Sequence, residues 1–354
     1  MSEYDWQLSV MPPHDTIAQI TTIWKACEDA GLDVVGPADS QNLMREMVVS
    51  LTVAAMTTSK IKLMTYATNP VTRHPAVAAG AFVALEELAP GRLMMGIATG
   101  DSALWSMGRK PARIAALRDY LIAVKALCAG EEIVWDGHPF KPRWARFEPF
   151  DLPTYVMCSG PKVLRMAAEA ADGAVVHMGF AEQDLDQVNE IVAAGRRAAG
   201  RDPDGFDLWW NAPVVFDESY EAAAARNFGW MPQWLTMGSM EGKGIPADIR
   251  DKVRELNADT HDLDTAYLME DREKRLVERA KQLGIYDWVM SRSARLMGTD
   301  GEIAERFNEL ARTRGMTQWI AFLYGRGNEI VNKDDAETIA LIQRFGRDLR
   351  ARLR

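Results

Sequence analysis

Residues 61–101 read IKLMTYATNPVTRHPAVAAGAFVALEELAPGRLMMGIATGD, and this stretch decides the fold. An apolar run, Ile61–Thr68, is followed by a segment in which Val77, Ala81, Leu85 and Leu88 recur at helical spacing, and then by a second apolar run, Leu93–Thr99. Runs dense in Val, Ile, Leu and Met, without polar alternation, suit strands buried on both faces. A helix between two such strands is the βα unit of a parallel sheet, with the Val77 to Leu88 stripe as its packing face.

Outward from this unit the same alternation recurs. Further runs are Trp6–Met11, Val34–Asp39, Thr154–Cys158, Ala174–Met178, Phe206–Phe216 and Trp319–Tyr324, and a second helical stripe runs Ile114, Leu117, Leu121, Val124, Cys128. Eight strands with intervening helices predict an α/β protein, a (β/α)8 TIM barrel forming one domain over residues 1–354. A minimal barrel takes roughly 250 residues, so about 100 must lie in insertions. Two stretches qualify: Glu132–Pro153, rich in Pro, Trp and Phe, and Trp230–Met297, helical by composition and carrying Trp230, Trp234 and Trp288. A last helix runs from Ala336 to Arg350, and Arg344, Arg347, Arg350, Arg352 and Arg354 read as a solvated basic face.

Composition narrows the function classes. Hydrophobic residues make up 47% and charged residues 26%, which excludes disordered and fibrous classes. A net charge of −9 opposes attraction to nucleic acid or anionic lipid, and no apolar run approaches the length of a membrane span. Cys27, Cys128 and Cys158 form no disulfide or zinc pattern, and His14, His138 and His261 are not grouped with carboxylates at any metal-ligand spacing, so no metal is expected. The first ten residues lack the basic start and apolar stretch of a secretory signal, so a cytoplasmic protein is expected.

Barrel ligands meet the C-terminal ends of the strands. There the chain places Asp39-Ser40, Tyr66-Ala67-Thr68-Asn69-Pro70, Ala98-Thr99-Gly100-Asp101, Ser159-Gly160-Pro161-Lys162 and His177-Met178-Gly179. Ser159 and Gly160 precede Pro161, a residue suited to the first helical position, so free backbone N–H groups there form either an anion pocket, with Lys162 adding charge, or a plain helix start. Asp39 reads as a proton carrier or as a helix N-cap, and Asn69 as a turn residue or as a group that both donates to and accepts from a ligand. Asp101 suits either a cap over Ala103–Met107 or a contact with cofactor or substrate, His177 a hydrogen bond to the anion, and Arg73 and His74 a loop fixed through backbone carbonyls. Trp105, Trp209, Trp210, Trp230 and Trp234 are candidates to line a substrate cavity, although Trp209 and Trp210, adjacent on a strand, must face opposite sides.

The run Thr68-Asn69-Pro70-Val71-Thr72-Arg73-His74-Pro75, then Leu88-Ala89-Pro90-Gly91-Arg92, Gly96-Ile97-Ala98-Thr99-Gly100-Asp101, Ser159-Gly160-Pro161-Lys162, Ala171-Asp172-Gly173 and Met297-Gly298-Thr299, resembles the luciferase-like flavin oxidoreductases, in particular their methylenetetrahydromethanopterin reductase-like branch. The resemblance implies a (β/α)8 barrel that binds FMN or a deazaflavin with the ring at the C-terminal mouth. It implies a non-prolyl cis peptide near Thr65, Tyr66 and Ala67, cofactor contacts from Tyr66 to Asn69 and from Ala98 to Gly100, and a phosphate pocket at Ser159, Gly160 and Lys162 completed by His177, Met178 and Gly179. It also implies a homodimer formed through helices near strands two to four, where the small residues Ala78, Ala79, Gly80 and Ala81 either permit close approach or pack on the barrel. One departure stands out: deazaflavin dehydrogenases of the family carry Asp-His after strand two, whereas this chain has Asp39-Ser40.

The leading expectation is therefore a two-component monooxygenase in which reduced FMN from a separate flavin reductase reacts with O2 and a small organic substrate, with Asp39 and Asn69 as candidate catalytic residues. The alternatives are a deazaflavin-dependent reductase or dehydrogenase that transfers hydride, and a non-catalytic flavin-binding protein. No strand leads into G-x-G-x-x-G, so no dinucleotide module is expected in this chain.

Overall fold

The computed structural model describes residues 3–11, 16–228, 232–259, 262, 264–265, 269, 271–324 and 335–354. Trp230, His14 and His261 lie outside the described residues. Among those described, eight parallel strands close a barrel in chain order: β1 (Gln7–Val10), β2 (Val34–Val35), β3 (Lys62–Met64), β4 (Leu93–Ile97), β5 (Thr154–Cys158), β6 (Gly173–Val176), β7 (Asp207–Phe216) and β8 (Gln318–Tyr324). Closure is between β8 and β1, with Leu8 opposite Trp319.

Alternation along the strands separates an inner layer from an outer one. Val34, Met64, Met94, Tyr155, Val175, Trp209 and Ile320 form the inner apolar cluster, one residue from each of seven strands. Ser9 of β1 bonds the Val34 carbonyl at 2.7 Å. Their neighbours Val35, Leu63, Leu93, Val156, Ala174, Trp210 and Trp319 join the core packed under the helices. Trp209 thus fills the barrel interior rather than a substrate cavity, while Trp210 packs outward against Phe180.

The barrel helices are α1 (Ile17–Asp29), α2 (Met47–Thr57), α3 (Pro75–Leu88), α4 (Ile114–Cys128), α5 (Pro161–Ala170), α6 (Glu182–Ala198), α7 (Asp300–Arg314) and α8 (Asp335–Gln343). Helix α7 shows why the chain is helical here: Thr299 and Glu302 form a reciprocal capping box, and Gly315 ends it at φ +66°. On α4 the predicted stripe from Leu117 to Cys128 is buried. On α3 the prediction is off: Ala78, Ala79, Phe82 and Leu85 face the barrel, while Val77 is 62% and Leu88 45% exposed. The helix is apolar on nearly every side, so periodicity alone does not single out its buried face.

Residues 132–153 contain an antiparallel hairpin, Ile133–Trp135 with His138–Phe140, whose Trp135 packs edge-on against Tyr120 and His74. Between β7 and β8 lie the helices Tyr220–Ala224, Arg250–Leu256, Arg272–Gln282 and Tyr286–Ser291, then a two-residue strand, Met297–Gly298, paired with the end of β7. At the C-terminus a π-helical turn, Arg344–Leu349, follows α8. The arginines there are not simply a solvated face. Arg347 bonds the Asp29 carbonyl, Arg350 the Gly31 and Trp6 carbonyls, and Arg344 pairs with Asp300. No helix of the described residues is long and apolar enough to cross a membrane.

Candidate active site at the barrel mouth

Strand β2 stops after two residues because Gly36-Pro37 follows, and proline has no N–H for a ladder. The Pro37 carbonyl instead accepts from the Tyr66 N–H at 2.8 Å. Strand β3 stops at Met64, and a cis peptide joins Tyr66 to Ala67, inside the three residues named by the family resemblance. The chain rejoins β4 at Thr68, whose N–H donates to the Gly96 carbonyl at 3.0 Å. Tyr66 and Ala67 therefore bulge from the sheet, half-buried at the mouth, with the Tyr66 ring packed on the inner apolar cluster.

Asp39 is buried behind this bulge. One of its oxygens accepts from the Thr68 hydroxyl at 2.8 Å and pairs with Arg73, whose other nitrogen pairs with Glu46. Burial works against the Arg73 charge, but Asp39 and Glu46 more than offset it and hold the guanidinium above its ordinary range. The geometry makes Asp39 an anchor of the bulge. It also corrects the expected roles of two neighbours: Arg73 binds carboxylates rather than backbone carbonyls, and His74 Nδ1 accepts from the Ala76 N–H as the cap of α3.

Asn69 Oδ1 accepts from the Val71 and Thr72 N–H groups, both at 3.0 Å, the hydrogen bonds of an Asx turn. Ala98, Thr99 and Gly100 end β4 half-buried beside it, and a Cβ on Gly100 would lie 3.3 Å from the Asn69 Cβ. Asp101 caps the short helix Ser102–Trp105, as its position suggests. Ser40 is buried with its hydroxyl 2.9 Å from that of Ser102, so the loops after β2 and β4 are joined there.

Across the mouth, Gly160 caps α5 without a side-chain bond, leaving its first N–H groups open beside Ser159. His177 follows β6, and its Nε2 is buried with no partner. Burial, and then the charge of Lys243, push its pKa down to about 4, so the ring is neutral with one donor and one acceptor nitrogen. Met178 and Gly179 are buried below it, Gly179 at φ +94° with Trp234 and Asp184 against its α-carbon. Lys162 does not join this pocket: it is exposed and pairs with Glu241 at 2.8 Å.

The groups missed by sequence reading come from the segment between β7 and β8. Lys243 is buried beside Gly160, burial lowers its pKa to about 7, and Arg292 packs over the Trp234 and Trp288 rings. Their only sequence signal is the flanking pair Gly242 and Gly244, both at positive φ.

Residues 5–318 match the family described as luciferase-like monooxygenase. The chain is 33% identical over 221 residues to the 5,10-methylenetetrahydromethanopterin reductase of Methanolobus tindarius, covering 61% of this chain and 66% of that one. It is 29% identical over 312 residues to the enzyme of the same name from Archaeoglobus fulgidus, covering 84% and 87%. Among solved structures, the coenzyme F420 dependent tetrahydromethanopterin reductase from Methanopyrus kandleri superposes with a TM-score of 0.70 at 22% identity over 99% of both chains. The oxygenating constituent of 3,6-diketocamphane monooxygenase from Pseudomonas putida, in complex with FMN, gives 0.64 at 15% identity, again over 99% of both.

Proposed function

The chain belongs to the luciferase-like monooxygenase family, a family of oxidoreductases, and on that premise we propose that it is a deazaflavin-dependent reductase acting on a small organic substrate. The observation that carries the reading is the match over 84% of the chain, at 29% identity, to a methylenetetrahydromethanopterin reductase, against 15% for the FMN-bound monooxygenase named above. The FMN monooxygenase expected first from the motifs draws on neighbours at 15–18% identity, a level that speaks to fold and not to chemistry. A non-catalytic protein is disfavoured because the strand-end residues remain arranged around one mouth.

The residues fit a phosphate-bearing tricyclic cofactor. The uncapped α5 N-terminus and the orphaned His177 Nε2 leave donors for a phosphate, with Ser159 and Gly160 supplying backbone N–H groups. The Tyr66–Ala67 bulge offers a flat, half-buried floor for a ring. When bound, a reduced deazaflavin supplies a hydride. The protein supplies orientation: Asp39, Thr68 and Arg73 hold the bulge, and Asn69 closes the turn beside it. Ser40 stands where a dehydrogenase of this family has its base, which argues against a dehydrogenase that works through that base.

Anaerobic titration of the purified protein with reduced FMN and with reduced deazaflavin, followed by admission of oxygen, tests this. We expect tighter binding of deazaflavin and no oxygen-dependent species. Tight FMN binding with an oxygen adduct would return the monooxygenase, with O2 and a separate reductase as its partners.

A further inference from the structure

Lys243, in the segment between β7 and β8, is 2% exposed. Its ammonium donates to the Trp234 and Met237 carbonyl oxygens, the latter at 2.6 Å, and lies 5.6 Å from the Trp234 ring centroid. Among the described residues no carboxylate pairs with it. Asp184 is held by Arg292, and Glu241 pairs with Lys162 at the surface. A buried ammonium facing carbonyl dipoles and an aromatic ring but no carboxylate carries an uncompensated charge, and an anion close by is the usual compensation.

The surrounding segment fixes where that charge lies. Gly242 and Gly244 take φ of +75° and +60°, and a Cβ on Gly242 would sit 2.8 Å from Pro161 Cγ. Gln187 donates to the Gly242 carbonyl at 2.9 Å, and Arg292 donates to the Lys243 carbonyl at 2.9 Å. The loop is thereby fastened over the start of α5, where a Cβ on Gly160 would lie 3.5 Å from Lys243 Cε. The same place holds the open N–H groups of α5 and, on the β6 side, the partnerless His177 Nε2. Three independent features, a cation without a counter-charge, an uncapped helix start and an unpartnered buried imidazole nitrogen, converge on one spot.

We propose that Lys243 is a binding residue for the phosphate of the cofactor, a cation that the segment between β7 and β8 adds to the backbone pocket at Ser159 and Gly160. The proposal rests on the cofactor reading above. It assigns to this segment the choice between phosphorylated and unphosphorylated forms of one chromophore, because backbone N–H groups alone form a weaker anion site than the same groups beside a buried ammonium.

The test uses the full-length protein titrated with the deazaflavin coenzyme and with the same ribityl deazaflavin lacking its phosphate, each followed by fluorescence. Lys243→Gln keeps a donor for the Trp234 and Met237 carbonyls while removing the charge, Lys243→Arg keeps the charge, and Lys243→Met substitutes if the Gln variant melts early. We expect the wild type to favour the phosphorylated form. In Lys243→Gln that preference should shrink by about tenfold, the worth of one charge-assisted hydrogen bond, with unphosphorylated binding nearly unchanged and most of the preference kept by Lys243→Arg. An undiminished preference in Lys243→Gln, or an equal loss of both forms, overturns the assignment while leaving the deazaflavin reading intact. A wild type that binds neither form overturns the cofactor reading, and this assignment with it.

Discussion

Arg292 and Asp184, 108 positions apart in sequence, meet in a buried two-point ion pair, with Nε donating to Oδ2 at 2.6 Å and Nη2 to Oδ1. Asp184 belongs to the first turn of α6 beneath the Gly179 turn, and Arg292 belongs to the segment between β7 and β8. The pair is the covering segment's charged tie to the β6 end of the mouth.

Removing one partner should be severe, since it leaves the other charge buried and alone, a change that typically costs about 3–5 kcal/mol. Arg292→Met and Asp184→Leu are each expected to lower stability by that order, measured by urea denaturation. The double variant should recover a large part of the loss, because an apolar pair of similar volume has no charge to desolvate. Additive losses would mean that the two side chains act separately.

The motifs behind the family resemblance divide by place. Arg92 bonds the Ala55 and Thr58 carbonyls at the end of α2, and Asp172 accepts from Thr154 and Lys125 beneath β5, so both are structural ties far from the mouth. Tyr66, Thr68, Asn69, Ser159 and His177 stand just beyond the C-terminal ends of β3, β5 and β6. The barrel was legible because buried parallel strands leave dense apolar runs. Asp39 was legible in place but not in role, because its partner Arg73 lies 34 positions away and nothing in the spacing pairs them. Lys243 was illegible: a lysine between glycines reads as an exposed loop, and only the folded covering segment buries it.

His177 links the site to pH. Its folded pKa of about 4 lies below the ordinary 6.5, so between those values the unfolded chain binds more protons at this residue than the native protein. Its contribution is full above pH 6.5 and is lost as pH falls toward 4. His177→Gln should flatten that part of the stability profile, read from urea midpoints at a series of pH values. Proton-detected titration should place the native imidazole midpoint near the low value, and a midpoint near 6.5 would contradict the burial argument.

Gly36 marks where β2 presses against β3. A Cβ there would lie 1.5 Å from the Met64 carbonyl oxygen, a backbone atom that cannot swing aside. Gly36→Ala should therefore cost more than the ~1–3 kcal/mol of ordinary overpacking and yield little soluble protein. Gly301→Ala, within the first turn of α7 and 3.9 Å from its nearest neighbour, is the control and should be neutral or slightly stabilising. Equal melting temperatures for the two variants would refute the close-approach reading.

Helices α2 and α3 pack side by side and leave Val49, Met56, Val77 and Leu88 exposed, Met56 by 72%. The small residues first considered for helix contact between subunits are partly occupied elsewhere: Ala78 and Ala79 are buried against the barrel, and Gly80 faces Trp144 of the hairpin segment. Large apolar side chains left open on two adjacent helices indicate a covered face, and we expect a second copy of this chain to cover it. Sedimentation velocity should show a dimer at micromolar concentration. Met56→Lys combined with Val77→Glu should return monomers with an unchanged melting profile at low concentration, since neither side chain supports the barrel core. A wild type that sediments as a monomer, or a double variant that stays dimeric, would remove this face as the interface.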